Sequence, residues 1–76
     1  MLAMLDLAAT GARIRQLRTQ NEFSVDALAE DMGVSAQAVY KWESGRSMPS
    51  IDNLVCLAYL FDVRIDDIVI KKENRI

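Results

Sequence analysis

Seventy-six residues, 51% of them apolar, with one proline and a formal net charge of −2, describe one small folded unit over 1–76 rather than two domains or a disordered tail. A chain this short buries only about 60% of its unfolded surface. One cysteine and no histidine exclude an intramolecular disulfide and the common zinc sets, so neither metal nor cofactor is expected and helix packing must carry the fold.

The opening Met-Leu-Ala-Met-Leu run is short and is followed by Asp6, which fits neither a signal peptide nor a membrane span and points to a soluble, cytoplasmic protein without membrane contact. A first helix is expected over 7–21, capped at Asp6 or Thr10. Ile14 and Leu17 form its inward stripe, supported by Leu7 and by Ala9 or Thr10, while Arg13, Arg15 and Gln16 look outward. Asn21-Glu22 closes it, and Phe23 is placed to staple onto the next helix. A second helix, 25–32, follows the Ser24 cap with Val25, Leu28, Ala29 and Met32 at i, i+3, i+4 and i+7, and Gly33 ends it. A third, 36–44, starts from the Ser35 cap and stops at Gly45, which can take the left-handed conformation. After a loop containing Pro49, Ser50 caps a fourth helix over 51–61 with Ile51, Leu54, Leu57 or Ala58, and Phe61 facing inward. Residues 65–69 form a short fifth helix or an extended segment, with length favouring the helix. The charged tail 71–76 reads as a frayed, solvated end. The expected architecture is all-α, a five-helix bundle.

The third helix has two faces. At about 100° per residue, Ala38, Val39, Trp42 and Glu43 share one arc, while Ala36, Gln37, Tyr40, Lys41 and Ser44 occupy the other. One arc is mostly apolar and the other hydrogen-bonding. Two short helices joined by a glycine-opened turn, with apolar faces that can meet, form a helix-turn-helix. The acidic balance opposes nucleic-acid binding only in total, because a groove feels the local field of the docking face. Lys41 and Arg46 flank that face and Arg13 and Arg15 are available from the first helix, whereas Asp26, Glu30 and Asp31 lie on the outer side of the second.

Ala12 to Arg18, Leu28-Ala29, Gly33-Val34-Ser35, Tyr40 to Gly45, Pro49 with Ile51 and Leu54, and Phe61-Asp62-Val63, in that order and spacing, resemble the phage-repressor/Cro-like (Xre) helix-turn-helix family with its lambda-repressor-like fold. The resemblance implies a sequence-specific regulator of transcription, of repressor type, whose third helix reads the major groove of double-stranded DNA. Carried onto this chain, it implies that Ala36, Gln37, Tyr40 and Lys41 face base edges and that Ser35 belongs to the same surface. Ser44, the Gly45 amide and Arg46 would approach phosphates. Gln37 suits adenine and Lys41 suits guanine. It also implies an ion pair between Arg18 and Glu43. Where similar proteins carry a glutamine that opens the second helix and a polar residue that opens the third, this chain has Val25 and Ala36.

Cys56, Tyr59, Leu60, Ile65, Ile68 and Ile70 exceed what one small core needs. They form either a homodimer surface, which a single short recognition helix would require for useful specificity, or the completion of the core. Cys56 itself is a small hydrophobe. An alternative keeps the fold and drops the DNA: a protein-interaction or antitoxin-like module whose acidic face binds a protein partner. An enzyme is not expected, since there is no histidine and no glycine-rich phosphate loop, and adjacent Asp66 and Asp67 would point about 100° apart on a helix.

Overall fold

The computed structural model describes residues 2–74. In chain order its elements are β1 (Leu2–Leu5), α1 (Leu7–Gln20), α2 (Val25–Met32), α3 (Ala36–Glu43), α4 (Ile51–Phe61), α5 (Ile65–Ile68) and β2 (Lys71–Asn74). Helices α1, α3 and α5 each end one residue earlier than the sequence patterns suggest, because Asn21, Ser44 and Val69 are their C-caps: each amide still donates to the carbonyl four residues back, at 3.0 Å, and the helix stops there.

The helices α1 to α4 share one design. Each begins at an extended residue whose side-chain oxygen accepts an orphan amide three residues on: Asp6 from Ala9 at 2.9 Å, Ser24 from Ala27 at 3.0 Å, Ser35 from Ala38 at 3.1 Å and Ser50 from Asn53 at 3.2 Å. Each is followed by a left-handed residue: Glu22 (φ 61°), Gly33 (φ 69°), Gly45 (φ 77°) and Asp62 (φ 54°). At every one of these ends the left-handed residue and its successor donate backward to two carbonyls of the last turn. After α3, for example, the Gly45 amide bonds Trp42 O at 3.1 Å and the Arg46 amide bonds Lys41 O at 2.9 Å, which is the Schellman pattern. Two of the four positions lack glycine. Replacing the exposed Glu22 by glycine relieves a left-handed side chain and should raise stability by about 0.5–1 kcal/mol, read as a melting temperature a few degrees higher.

One buried cluster holds the array: Ile14 and Leu17 of α1, Val25, Leu28 and Ala29 of α2, Val39 and Trp42 of α3, Leu54, Leu57 and Phe61 of α4, and Ile68 of α5. Phe23 does not simply staple α2. Its ring meets Phe61 edge-on, with centroids 6.2 Å apart, so the α1–α2 loop is pinned to α4. Ile51 is not core but 72% exposed, since Leu54, Leu57 and Phe61 already define the buried side of α4. It joins Val55 and Tyr59 one and two turns on, which are 54% and 83% exposed. Ile68, grouped from sequence with the surplus apolar residues, is fully buried. The single turn of α5 folds it under α4 and α1, while Leu60 and Ile65 pack partly against the same core.

The chain ends depart furthest from expectation. Residues 71–74 are not frayed but form a strand, antiparallel to β1, with Leu2 opposite Asn74 and Leu5 opposite Lys71. A clamp on α1 explains the order at the root of this ribbon. The Asp6 amide donates to Ile70 O at 2.8 Å. The buried Thr10 hydroxyl accepts the Ile70 amide at 2.9 Å and donates to its carbonyl at 3.4 Å. Three residues along α1, Arg13 Nε donates to Asp67 O at 2.8 Å.

Candidate nucleic-acid interface

Three contacts fix the attitude of α3. Val39 and Trp42 seat its apolar arc in the core. Gly11 lets α1 approach it at backbone distance: a Cβ there would collide with Trp42 O and lie 2.7 Å from Glu43 O. Arg18 then ties the elements together. Its Nε and Nη2 reach the two Glu43 carboxylate oxygens at 2.6 and 3.2 Å, and Nη1 donates to Phe23 O at 2.9 Å. Both side chains of this pair are nearly buried, with 12% and 8% of their surface exposed. Hydrogen bonding to Glu43 is the largest cause that raises the Arg18 pKa above its ordinary value, against the opposing effect of burial.

With its inner arc so held, α3 turns the other arc to solvent. Gln37, Tyr40, Lys41, Ser44 and Arg46 line one open recess of about 570 Å³. Tyr40 is 58% exposed, and no contact with the core accounts for its position. The loop is fixed around the Lys41 carbonyl, which accepts the Ser44 hydroxyl at 3.2 Å and the Arg46 and Ser47 amides at 2.9 and 3.4 Å. Arg46 is thereby held beside Lys41, so the recess is basic although the chain is acidic.

Not every residue of the expected DNA set enters this recess. Ser35 lies outside it as the exposed cap of α3, and Ala36 is half-buried against the core. Arg13 leaves the docking face altogether, since its guanidinium is bonded to α5. Arg15, two residues on, points the other way and lines a second recess of about 340 Å³ with Arg18, Val25, Tyr40, Glu43 and Ser44. Sequence reasoning did not separate these two arginines or identify Gly11 as a packing residue. The signal for Gly11 was present, however, because glycine inside an otherwise good helix needs a close approach to justify it.

The fold defines the class of protein: a helix-turn-helix domain of the kind carried by DNA-binding transcription regulators. A helix-turn-helix family model matches residues 14–68, and the chain belongs to that family. It is 38% identical over 61 residues, 80% of its length, to a protein of Enterococcus faecalis named HTH-type transcriptional activator BcrR. It is 37% identical over 57 residues, 75% of its length, to the HTH-type transcriptional regulator YobD of Bacillus subtilis. The chain spans only 30% and 51% of the lengths of these two relatives. Among solved structures it is similar to the restriction-modification controller protein C.AhdI of Aeromonas hydrophila, with a TM-score of 0.76 and 32% identity. That match covers 83% of this chain and 96% of the other. No helix among the described residues is long and apolar enough to cross a membrane.

Proposed function

We propose that this chain is the DNA-reading unit of a cytoplasmic, sequence-specific transcription regulator of repressor type, which lays α3 in the major groove and binds an inverted-repeat operator as a homodimer. The observation that carries this reading is the recess formed by Gln37, Tyr40, Lys41, Ser44 and Arg46. It gathers a bidentate amide, a phenol and a cation on the one arc of α3 that the core does not use, with the second cation, Arg46, beside them in the following loop. Gln37 serves an adenine edge and Lys41 a guanine edge, and each good base contact contributes roughly 1–3 kcal/mol of discrimination. Ser44 and Arg46 lie at the end of the recess, where the strand backbone would pass. Ser35 and Ala36 would sit at the opposite end, the alanine offering only a methyl contact.

Dimerisation follows from the reach of α3. Eight residues cover too few base pairs for useful specificity, whereas two copies related by a two-fold axis read half-sites about 34 Å apart. The exposed stripe Ile51, Val55 and Tyr59, with the half-buried Cys56 and Leu60 of the same helix, is the surface offered to a second copy, to which the half-buried Ile65 and Ile70 would add. Selection from a random duplex library at low salt tests the whole reading. The expected product is an enriched inverted repeat, and a library that returns no motif overturns the proposal. Lys41→Ala should then relax preference at one base step, while Arg46→Ala should weaken all sequences alike. Binding titrations against single-base operator variants distinguish the two.

A further inference from the structure

Helix α1 carries three arginines, Arg13, Arg15 and Arg18, and the fold uses two of them. Arg13 is bonded to Asp67 O and to Gln16, and Arg18 to Glu43 and Phe23 O. Arg15 is exposed and has no hydrogen-bond or ion-pair partner among the described residues. Its direction is set by helix geometry. Position 15 falls within about 40° of positions 8 and 11 on the α1 wheel, and those are the positions where α1 touches the end of α3: Gly11 abuts Glu43 O, and a Cβ on Gly45 would lie 3.0 Å from the Ala8 Cα. Arg15 is therefore delivered to the side of α1 that carries the recognition helix, and Arg13 to the side that carries α5.

There Arg15 lines the second recess, which shares Tyr40 and Ser44 with the first and is floored by Val25. The other charges of this recess are matched to each other, since both oxygens of Glu43 are engaged by Arg18. Arg15 is left as its net cation. The Tyr40 phenol is the neutral donor beside it, the Ser44 hydroxyl being bonded to Lys41 O, and an apolar Val25 stands at the first residue of α2.

We propose that the recess between α1 and α3 seats a backbone phosphate of the DNA, and that Arg15 is the positioning residue that grips it. This inference rests on the DNA-binding reading above and adds a contact outside the helix-turn-helix. It also offsets the acidic total, because the cation is placed where the strand backbone passes rather than spread over the surface.

A phosphate contact is independent of base sequence, so mixed-sequence double-stranded DNA is a sufficient probe. Neutralising one phosphate contributes about 0.9 to the slope of log affinity against log salt. Arg15→Gln should reduce that slope by about 0.9 per subunit, so that the affinity lost between about 50 and 200 mM salt shrinks roughly 3.5-fold. Arg15→Lys should keep the slope, because it keeps the charge. Arg13→Gln, on the other side of α1, should leave the slope unchanged even if it lowers the melting temperature. An unchanged slope in Arg15→Gln, with wild-type binding intact, overturns the Arg15 contact and leaves the proposed function standing. Absence of wild-type binding at low salt overturns both. The exposed position of Arg15 makes folding of these variants straightforward to verify by circular dichroism.

Discussion

Gly11→Ala should lower the stability of this protein by about 3 kcal/mol, although alanine is the better helix former by about 1 kcal/mol. The sign reverses because of what the methyl group meets. It would lie within 2.9 Å of Glu43 C and 2.7 Å of Glu43 O, and would be closer still to Trp42 O. All three are backbone atoms at the end of α3. A side chain could rotate away, but a peptide held by the Schellman bonds of Gly45 and Arg46 cannot, so α1 and α3 must separate. Overpacking of this kind costs typically 1–3 kcal/mol and sometimes more. A domain of this size has only about 4–11 kcal/mol in total, and a loss of about 3 kcal/mol moves the melting temperature down by roughly 10 °C or more. Thermal denaturation checks it, and Gly33→Ala is the proper control. That site has nothing within 4 Å of a new Cβ, so alanine there meets only the left-handed backbone penalty of about 1–2 kcal/mol. Equal losses at the two glycines would mean that α1 and α3 do not touch as described. Separation of α1 from α3 would also withdraw Arg15 and Arg18 from Tyr40 and Ser44, so DNA affinity of Gly11→Ala should fall even at temperatures where the variant is folded.

The helices were legible because their signals are local. Asp6, Ser24, Ser35 and Ser50 each precede a 3.6-residue apolar pattern, and the caps form where the oxygen and the amide are three residues apart. The two arcs of α3 could likewise be read from residue order alone, since Val39 and Trp42 had to be buried and Tyr40 and Lys41 then could not be. What escaped the sequence depends on partners distant in the chain. The β1–β2 ribbon joins residues 2–5 to 71–74, and neither segment carries an alternating pattern. Its order derives from Thr10, which the α1 pattern offered for the inward side only as an alternative to Ala9 and whose hydroxyl accepts the Ile70 amide sixty residues away, a pairing no local pattern announces. Ile51 and Ile68 were misplaced for a related reason. Periodicity names a stripe, but which edge of the stripe is covered depends on where α5 folds back. The division of labour between Arg13 and Arg15 is a third instance: both leave an exposed face of α1, and only the positions of α5 and α3 decide that one is structural and the other free.

Glu43→Gln should destabilise the protein by about 3 kcal/mol, the typical consequence of leaving one member of a buried pair without its counter-charge. The substitution is isosteric, so packing is nearly preserved and the loss is electrostatic. One amide oxygen can still accept from Arg18 Nε, but the amide nitrogen then faces Nη2, donor against donor, where Oε1 now accepts at 3.2 Å. Alkaline titration cannot substitute for this variant. Because the Arg18 pKa is raised, its contribution to stability is fully present below the ordinary arginine value and is lost only as pH rises through the still higher folded one. The double variant Arg18→Met with Glu43→Leu separates what the pair does for stability from what it does for geometry. Well-packed apolar replacements of buried ion pairs are often neutral or stabilising, so its melting temperature should recover most of the single variant's loss. DNA binding should not recover in parallel. The Arg18 guanidinium also holds Phe23 O, and through it the angle between α1, the α2 start and α3. With that fork gone, the second recess loses Arg18 and Glu43 from its lining, and α3, which carries Tyr40 of both recesses, loses its tie to α1. Stability restored together with full sequence discrimination would show instead that Trp42 and Val39 alone orient the recognition helix.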